Sequence, residues 1–214
     1  MTTAADASMG AALLIGARES FAAAVAQRLR GAGTPLVEVA GMSEAEVAGA
    51  LAEIPLLQYL VIVAPPPVLG TSVLEVDDGQ LERSLSQFLD LFDALHLSLP
   101  RLADGGGVLA VIARGHLGAW GGAHEMSFCG AFVGLMRSVA LENMARGVRA
   151  NAIAVELPGA GTPSDPDEVA DLALYLLSPG AAAVNGELIL ANAGRSLQMR
   201  EARDRRPSPA PAVS

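Results

Sequence analysis

No lysine occurs anywhere in the 214 residues; all fourteen basic side chains are arginine. Chemistry that depends on a lysine amine is therefore excluded, whether the amine acts as a nucleophile or as the cation that activates a neighbour. Cysteine is almost as scarce. The single thiol, Cys129, cannot close an intrachain disulfide, so a cytoplasmic setting is the expectation. Long apolar runs are missing too: the densest, "YLVIVAPPPVL", falls well short of the ~20 residues of a spanning helix and is broken by prolines, so no membrane contact is expected. "AALLIG" near the start has neither the basic flank nor the cleavage-like end of a signal peptide. Fourteen cations face 23 carboxylates, and the net charge of -9 would repel a phosphate backbone, which argues against nucleic acid as a partner.

What is present alternates. Short apolar runs at 11–17, in "PLVEVAG", in "LQYLVIVA", in "GGVLAVIA", in "VRANAIAVEL" and in "NGELILANAG" are separated by segments with helical spacing. In the first of these segments Phe21, Val25 and Leu29 recur before a glycine stop. Ser43 with Glu46 three residues on reads as a capping box opening the second. A long helix over about 79–102 carries Leu81, Leu85, Phe88, Leu89, Phe92, Leu95 and Leu99 on a broad face, and another spans 124–144. Apolar strands alternating with helices are buried on both faces, which predicts a doubly wound α/β domain with a parallel sheet. A single domain is expected over 1–196. Residues 197–214, "LQMREARDRRPSPAPAVS", have no apolar period and read as a disordered tail.

The stretches "ALLIGARESFAAAVAQRL", "GAFVGLMRSVALENMARGVRANAIAVELPG" and "PDEVADLALYLLSPGAAAVNGELILANAG" resemble the short-chain dehydrogenases/reductases, in family order across residues 11–194. The resemblance implies a Rossmann-like three-layer sheet, NAD(P), a Ser, Tyr, Lys catalytic set, and assembly through the two long helices. The residues that would carry the chemistry are different here. Where the family has tyrosine and lysine one turn apart on the later long helix, alignment on "RSVALE" places Glu125 and Cys129. The serine position falls at Ala113 or Arg114, and the helix asparagine near Gln87 or Phe88. The glycine-rich pattern reads "IGARESFA", so Gly16 is kept while Ser20 and Ala22 stand at the other two glycine positions. Ser20 adds bulk where a pyrophosphate would approach, and Glu19 brings a carboxylate to the helix N-terminus that would attract the phosphate. No cofactor is expected. Between the first strand and "LVIV" there is room for one helix only, so a strand-helix unit is missing, and "PGAGTP" runs straight into "SDPDEVA" without a substrate lid.

These losses predict a catalytically inactive subunit that forms a hetero-oligomer with an active dehydrogenase paralogue, or associates with itself, with Phe88, Phe92, Phe128, Phe132 and Met136 as interface residues. Phe128, Phe132, Leu135 and Val139 make one stripe of the later helix, and Cys129, Val133, Met136 and Ala140 another; one would pack on the sheet and the second would seek a partner. The competing reading is a cofactor-independent isomerase, lyase or cyclase using Glu125, with His124, as acid/base. Phe21 stands where halohydrin dehalogenases of this fold block the nucleotide site. His116, His124 and Trp120 lack metal-ligand spacing, so no metal is expected.

Overall fold

The structure is a computed structural model that describes residues 10–17, 19–66, 70–113, 122–156 and 163–194. Six strands alternate with five helices: β1 (Ala11–Ile15), α1 (Ala22–Gly31), β2 (Leu36–Val39), α2 (Glu44–Ala52), β3 (Leu57–Val63), α3 (Asp78–Ser98), β4 (Leu102–Ala113), α4 (Ala123–Glu142), β5 (Arg149–Val155), α5 (Pro166–Leu177) and β6 (Leu188–Ala191). All pair in parallel in the order β2-β1-β3-β4-β5-β6. This is the three-layer, Rossmann-like architecture the apolar alternation predicts. A single helix, α2, connects β2 to β3, and residues 156–165 are all that join β5 to α5.

The period of two along each strand divides the core cleanly. Leu13, Ile15, Leu60, Ile62, Ala110 and Ile112 face one way, against α2, α3 and α4. Ala12, Leu14, Val61, Val63, Leu109 and Val111 face the other, against α1 and α5. Both faces are dry, which is why the strands read as continuous apolar runs instead of alternating ones.

Two local readings are corrected. Ser43 and Glu46 meet side chain to side chain: the Ser43 hydroxyl donates to Glu46 Oε2 at 2.6 Å, and no side-chain cap reaches the backbone of α2. The capping box belongs to α3, where the Gln80 amide N–H donates to Asp77 Oδ1 at 2.7 Å and the Asp77 N–H donates to Gln80 Oε1 at 3.1 Å. That helix ends at Ser98, earlier than its leucine spacing predicts, in a 3-10 turn over Leu99–Arg101. Pro100 has no N–H to continue the ladder. The chain after it enters β4 at Leu102, ahead of the apolar run.

Arginine closes the N-terminal end of the sheet, where the helices finish. Arg149 Nη1 and Nη2 donate to the carbonyls of Leu176, Leu177, Ser178 and Ala181 at 2.6 to 3.2 Å, tying off α5 and the 3-10 turn after it. Arg146 donates to the carbonyl oxygens of Leu99 and Leu102 and to Asp104, and Arg101 donates to Leu51 O at the end of α2. The guanidiniums meet carbonyls at or just beyond the ends of helices, near the negative end of each dipole.

Candidate functional site

The sheet reverses its winding between β1 and β3, because β2 lies on one side of β1 and β3 on the other. In open α/β sheets the crevice at the C-terminal ends of such strands is where ligands sit. Here it is a cleft of adjoining pockets. One lies between α3 and α4 and is walled by Ser84, Phe88 and Leu91 on one side and Glu125, Phe128 and Cys129 on the other. Its neighbour runs over Gly16, Glu19, Gly41 and Asp90, sharing Met42, Pro65 and Gln87 with the first. A third lies under Glu19, Ser20 and Phe21, beside Ala113 and Val155.

The degenerate glycine motif occupies the second and third pockets. Gly16 sits at φ +84°, and a Cβ there would lie 2.1 Å from the Val63 carbonyl oxygen. Its glycine is thus required by the crossing of two strand ends, before any ligand is considered. Ala22 is fully buried among Val25, Leu29 and the sheet, so at that position a methyl fits the helix-sheet contact. Ser20 is exposed, and Phe21 is buried in the wall of the third pocket. Glu19 lines both pockets, and burial raises its carboxyl pKa above the usual value. Arg18 and Arg114, the cations nearest in sequence, lie outside the described residues, as do His116, Trp120 and the tail 197–214.

At the first pocket the first turn of α4 presents Glu125. Its side chain is 12 % exposed, and Oε1 accepts a hydrogen bond from the Ser84 hydroxyl at 2.9 Å, a link from α3 to α4. His124 is buried with its Nδ1 without a partner among the described residues, and its Nε2 lies 3.8 Å from Glu125 Oε1, too far for a hydrogen bond. The order is serine, glutamate, histidine with the carboxylate in the middle, so no imidazole touches the hydroxyl as a nucleophile's base must. Cys129 is a poor nucleophile: burial, then the negative charge of Glu125, push its thiol up to about 11. The rings of Phe88 and Phe128 stand 6.0 Å apart at 35°, both half-buried on the pocket wall. No group of three or more potential metal ligands occurs among the described residues.

The predicted interface set divides. Phe132 and Met136 are 3 % and 2 % exposed and pack on the sheet with Val133, Val139 and Ala140. The two stripes of α4 are one wide buried face, and neither residue is available to a partner. Phe88 and Phe128 are taken up largely by each other and the pocket. Phe92 is free, and it ends a ridge of exposed apolar side chains on α3 formed by Leu81, Leu85 and Leu89. Those leucines belong to the broad face legible in the sequence. Ser84 escaped notice, although it falls in phase with the buried Leu91 and Leu95. The outer side of α4 next to the ridge is small and exposed, with Gly130, Ala131, Gly134 and Ser138.

The sequence matches no protein-family model and no curated protein. Solved structures do match. A 3-ketoacyl-(acyl-carrier-protein) reductase from Brucella melitensis, complexed with NADH, superposes with a TM-score of 0.78 at 20% identity, over 88% of this chain and 98% of that one. An aldohexose dehydrogenase from Thermoplasma acidophilum gives 0.76 at 16% identity, over 95% and 98%. A short-chain dehydrogenase/reductase from Serratia marcescens gives 0.72 at 19%, over 87% and 97%. The chain has the short-chain dehydrogenase/reductase fold. Within that fold its two tyrosines are far from the cleft: Tyr59 lines a pocket with Gly105 and Arg149 at the opposite end of the strands, and Tyr175 is half-exposed on α5.

Proposed function

We propose that this chain is a non-catalytic subunit of the short-chain dehydrogenase/reductase type, which assembles through α3 and α4 with an active paralogue in the cytoplasm and stabilises or completes it. The observation that carries the reading is the ridge of Leu81, Leu85, Leu89 and Phe92, each between 44 % and 51 % exposed on one helix. A continuous apolar ridge on the surface is costly to leave in water and marks a contact. The small outer residues of α4 let a second helix pair approach closely beside it.

The cleft supports the non-catalytic half of the reading. Tyrosine cannot act there from positions 59 or 175, and no lysine exists to assist it. The described walls also suit a dinucleotide poorly. Glu19 stands at the pyrophosphate approach, and Ala40 and Gly41, which follow β2, bring no acid for a ribose. No step is therefore assigned through NAD(P). A second reading has one observation in its favour: Glu125 opens into a mostly apolar pocket, where a carboxylate would serve a non-redox isomerase, lyase or cyclase.

Co-expression with an active family member from the same genome, followed by light scattering with and without NAD(P)H, tests the assembly. The expected result is a mixed complex that binds nucleotide only in proportion to the active chain. Replacing Leu85 and Leu89 together by Asp should weaken it by roughly 30-fold or more while the isolated chain stays folded, because two charges would be trapped in an apolar contact. A homo-oligomer that ignores the relative would assign the ridge to self-association. A stable monomer under every condition would end the reading, and activity lost on Glu125→Ala with assembly intact would establish the second.

A further inference from the structure

The pocket between α3 and α4 has a chemistry that assembly leaves unused. Its walls are predominantly apolar, with Met42, Pro65, Leu91 and Ile112 among them, and its one carboxylate is Glu125. Ser84 gives that carboxylate one hydrogen bond at 2.9 Å, and no arginine lines the cleft among the described residues. A carboxylate in such surroundings attracts a cation strongly, because little water competes. Two further features point the same way. Phe88 and Phe128 both line this space, and aromatic rings attract a cation placed over their faces. Glu19 and Asp90, in the adjoining pocket past Gln87, extend the negative field along the cleft. No arginine among the described walls is placed to pair with a phosphate or carboxylate ligand.

We propose that this pocket binds a small amphipathic ammonium compound, an alkyl or arylalkyl amine whose charged nitrogen rests against Glu125 and whose apolar body lies between Phe88, Phe128 and Leu91. Cys129 adds an uncharged, polarisable wall, since its thiol stays protonated at neutral pH. The site lies within one chain, so it goes beyond the assembly reading and does not depend on the partner. It makes the chain a candidate sensor of amines whether it acts alone or within a complex.

The test uses the full chain and three probes of matched shape: 2-phenylethylamine, 2-phenylethanol and 3-phenylpropanoate. Calorimetry should rank the amine first by about tenfold over the alcohol, with no binding of the carboxylate. Glu125→Gln should remove the amine's advantage and leave the alcohol unchanged, because the amide keeps the size and the Ser84 contact. Amide shifts in an NMR titration should centre on Gln87, Phe128 and Cys129. Equal affinity for all three probes, tighter binding of the carboxylate, shifts centred elsewhere, or no amine binding at millimolar concentration would each overturn the proposal. If the glutamine variant does not fold, the ranking in the unaltered chain and the location of the shifts decide alone.

Discussion

The two ends of the sheet are built from opposite charges. At the N-terminal end of the strands, Arg101, Arg146 and Arg149 reach across to backbone carbonyls where α2, α3 and α5 terminate. At the C-terminal end, the described cleft walls carry Glu19, Asp90 and Glu125 and no arginine. Three of the fourteen arginines are committed to the N-terminal end. A planar guanidinium satisfies several acceptors in one rigid geometry, so arginine serves a structural end well. Among the described residues, the cleft is left with acids. Holding the fold and binding a ligand are thus separated along the strands, and each end can be altered with little effect on the other.

The sharpest break would come from the structural end. Arg149→Ala removes donors from five carbonyls at once in a part-buried position, and should lower stability by about 3 kcal/mol, with cooperativity kept, in urea denaturation. Lysine at the same position should recover less than half of this, since a point charge cannot span the fork of acceptors. The same measurement on Glu125→Gln should give a change several-fold smaller. If Arg149→Ala cost less than Glu125→Gln, the two ends would not divide the work as described.

The fold was legible and these contacts were not, for one reason. A parallel strand buried on both faces writes its burial into its own residues, so "LVIV" and "VLAVIA" announce β3 and β4 without knowledge of anything else. Arg149 and Ser84 act on groups 27 to 32 and 41 residues away, and nothing local distinguishes Arg149 from the exposed Arg137. The misplacement of Phe132 and Met136 is intermediate. Two stripes offset by one residue suggest two faces, but a helix lying over a sheet buries an arc wide enough to hold both. At the site itself, the absence of lysine and the kept Gly16 could be read directly. The reason for Gly16, crowding by the Val63 carbonyl, required the neighbouring strand.

At the cleft end, Cys129 reports the surroundings of Glu125, and as the only cysteine it gives a single-site signal. With its pKa moved from 9.0 to about 11, the thiolate fraction at pH 7 is about 100-fold below that of an unperturbed thiol, so alkylation by iodoacetamide should be slower by a similar factor. Glu125→Gln should speed it only in part, because burial is the larger cause. Linkage gives the sign for stability. The folded chain holds this proton more tightly, so stability is unaffected below about pH 9 and is lost as pH rises toward 11. No lysine titrates in that window, and the part of the loss due to this thiol should vanish in Cys129→Ala. Alkylation at the rate of free cysteine in the folded chain would show that the pocket is wetter than its walls imply.

The smallest effect belongs to Glu19, and its sign is the informative part. A carboxylate that favours a helix N-terminus would have a depressed pKa and would stabilise the chain above it. Burial raises this one instead, so the folded state disfavours its charge, and its contribution is neutral at low pH and unfavourable once pH has risen from 4.5 through the raised folded value. Glu19→Gln should therefore stabilise at pH 7, by less than about 0.5 kcal/mol since the group is largely in contact with solvent, and should have no effect near pH 3. Urea midpoints at the two pH values decide it. A destabilised variant at pH 7 would mean that the helix dipole outweighs desolvation, and that the cleft end of this sheet is stabilised by its own acid as the other end is by its arginines.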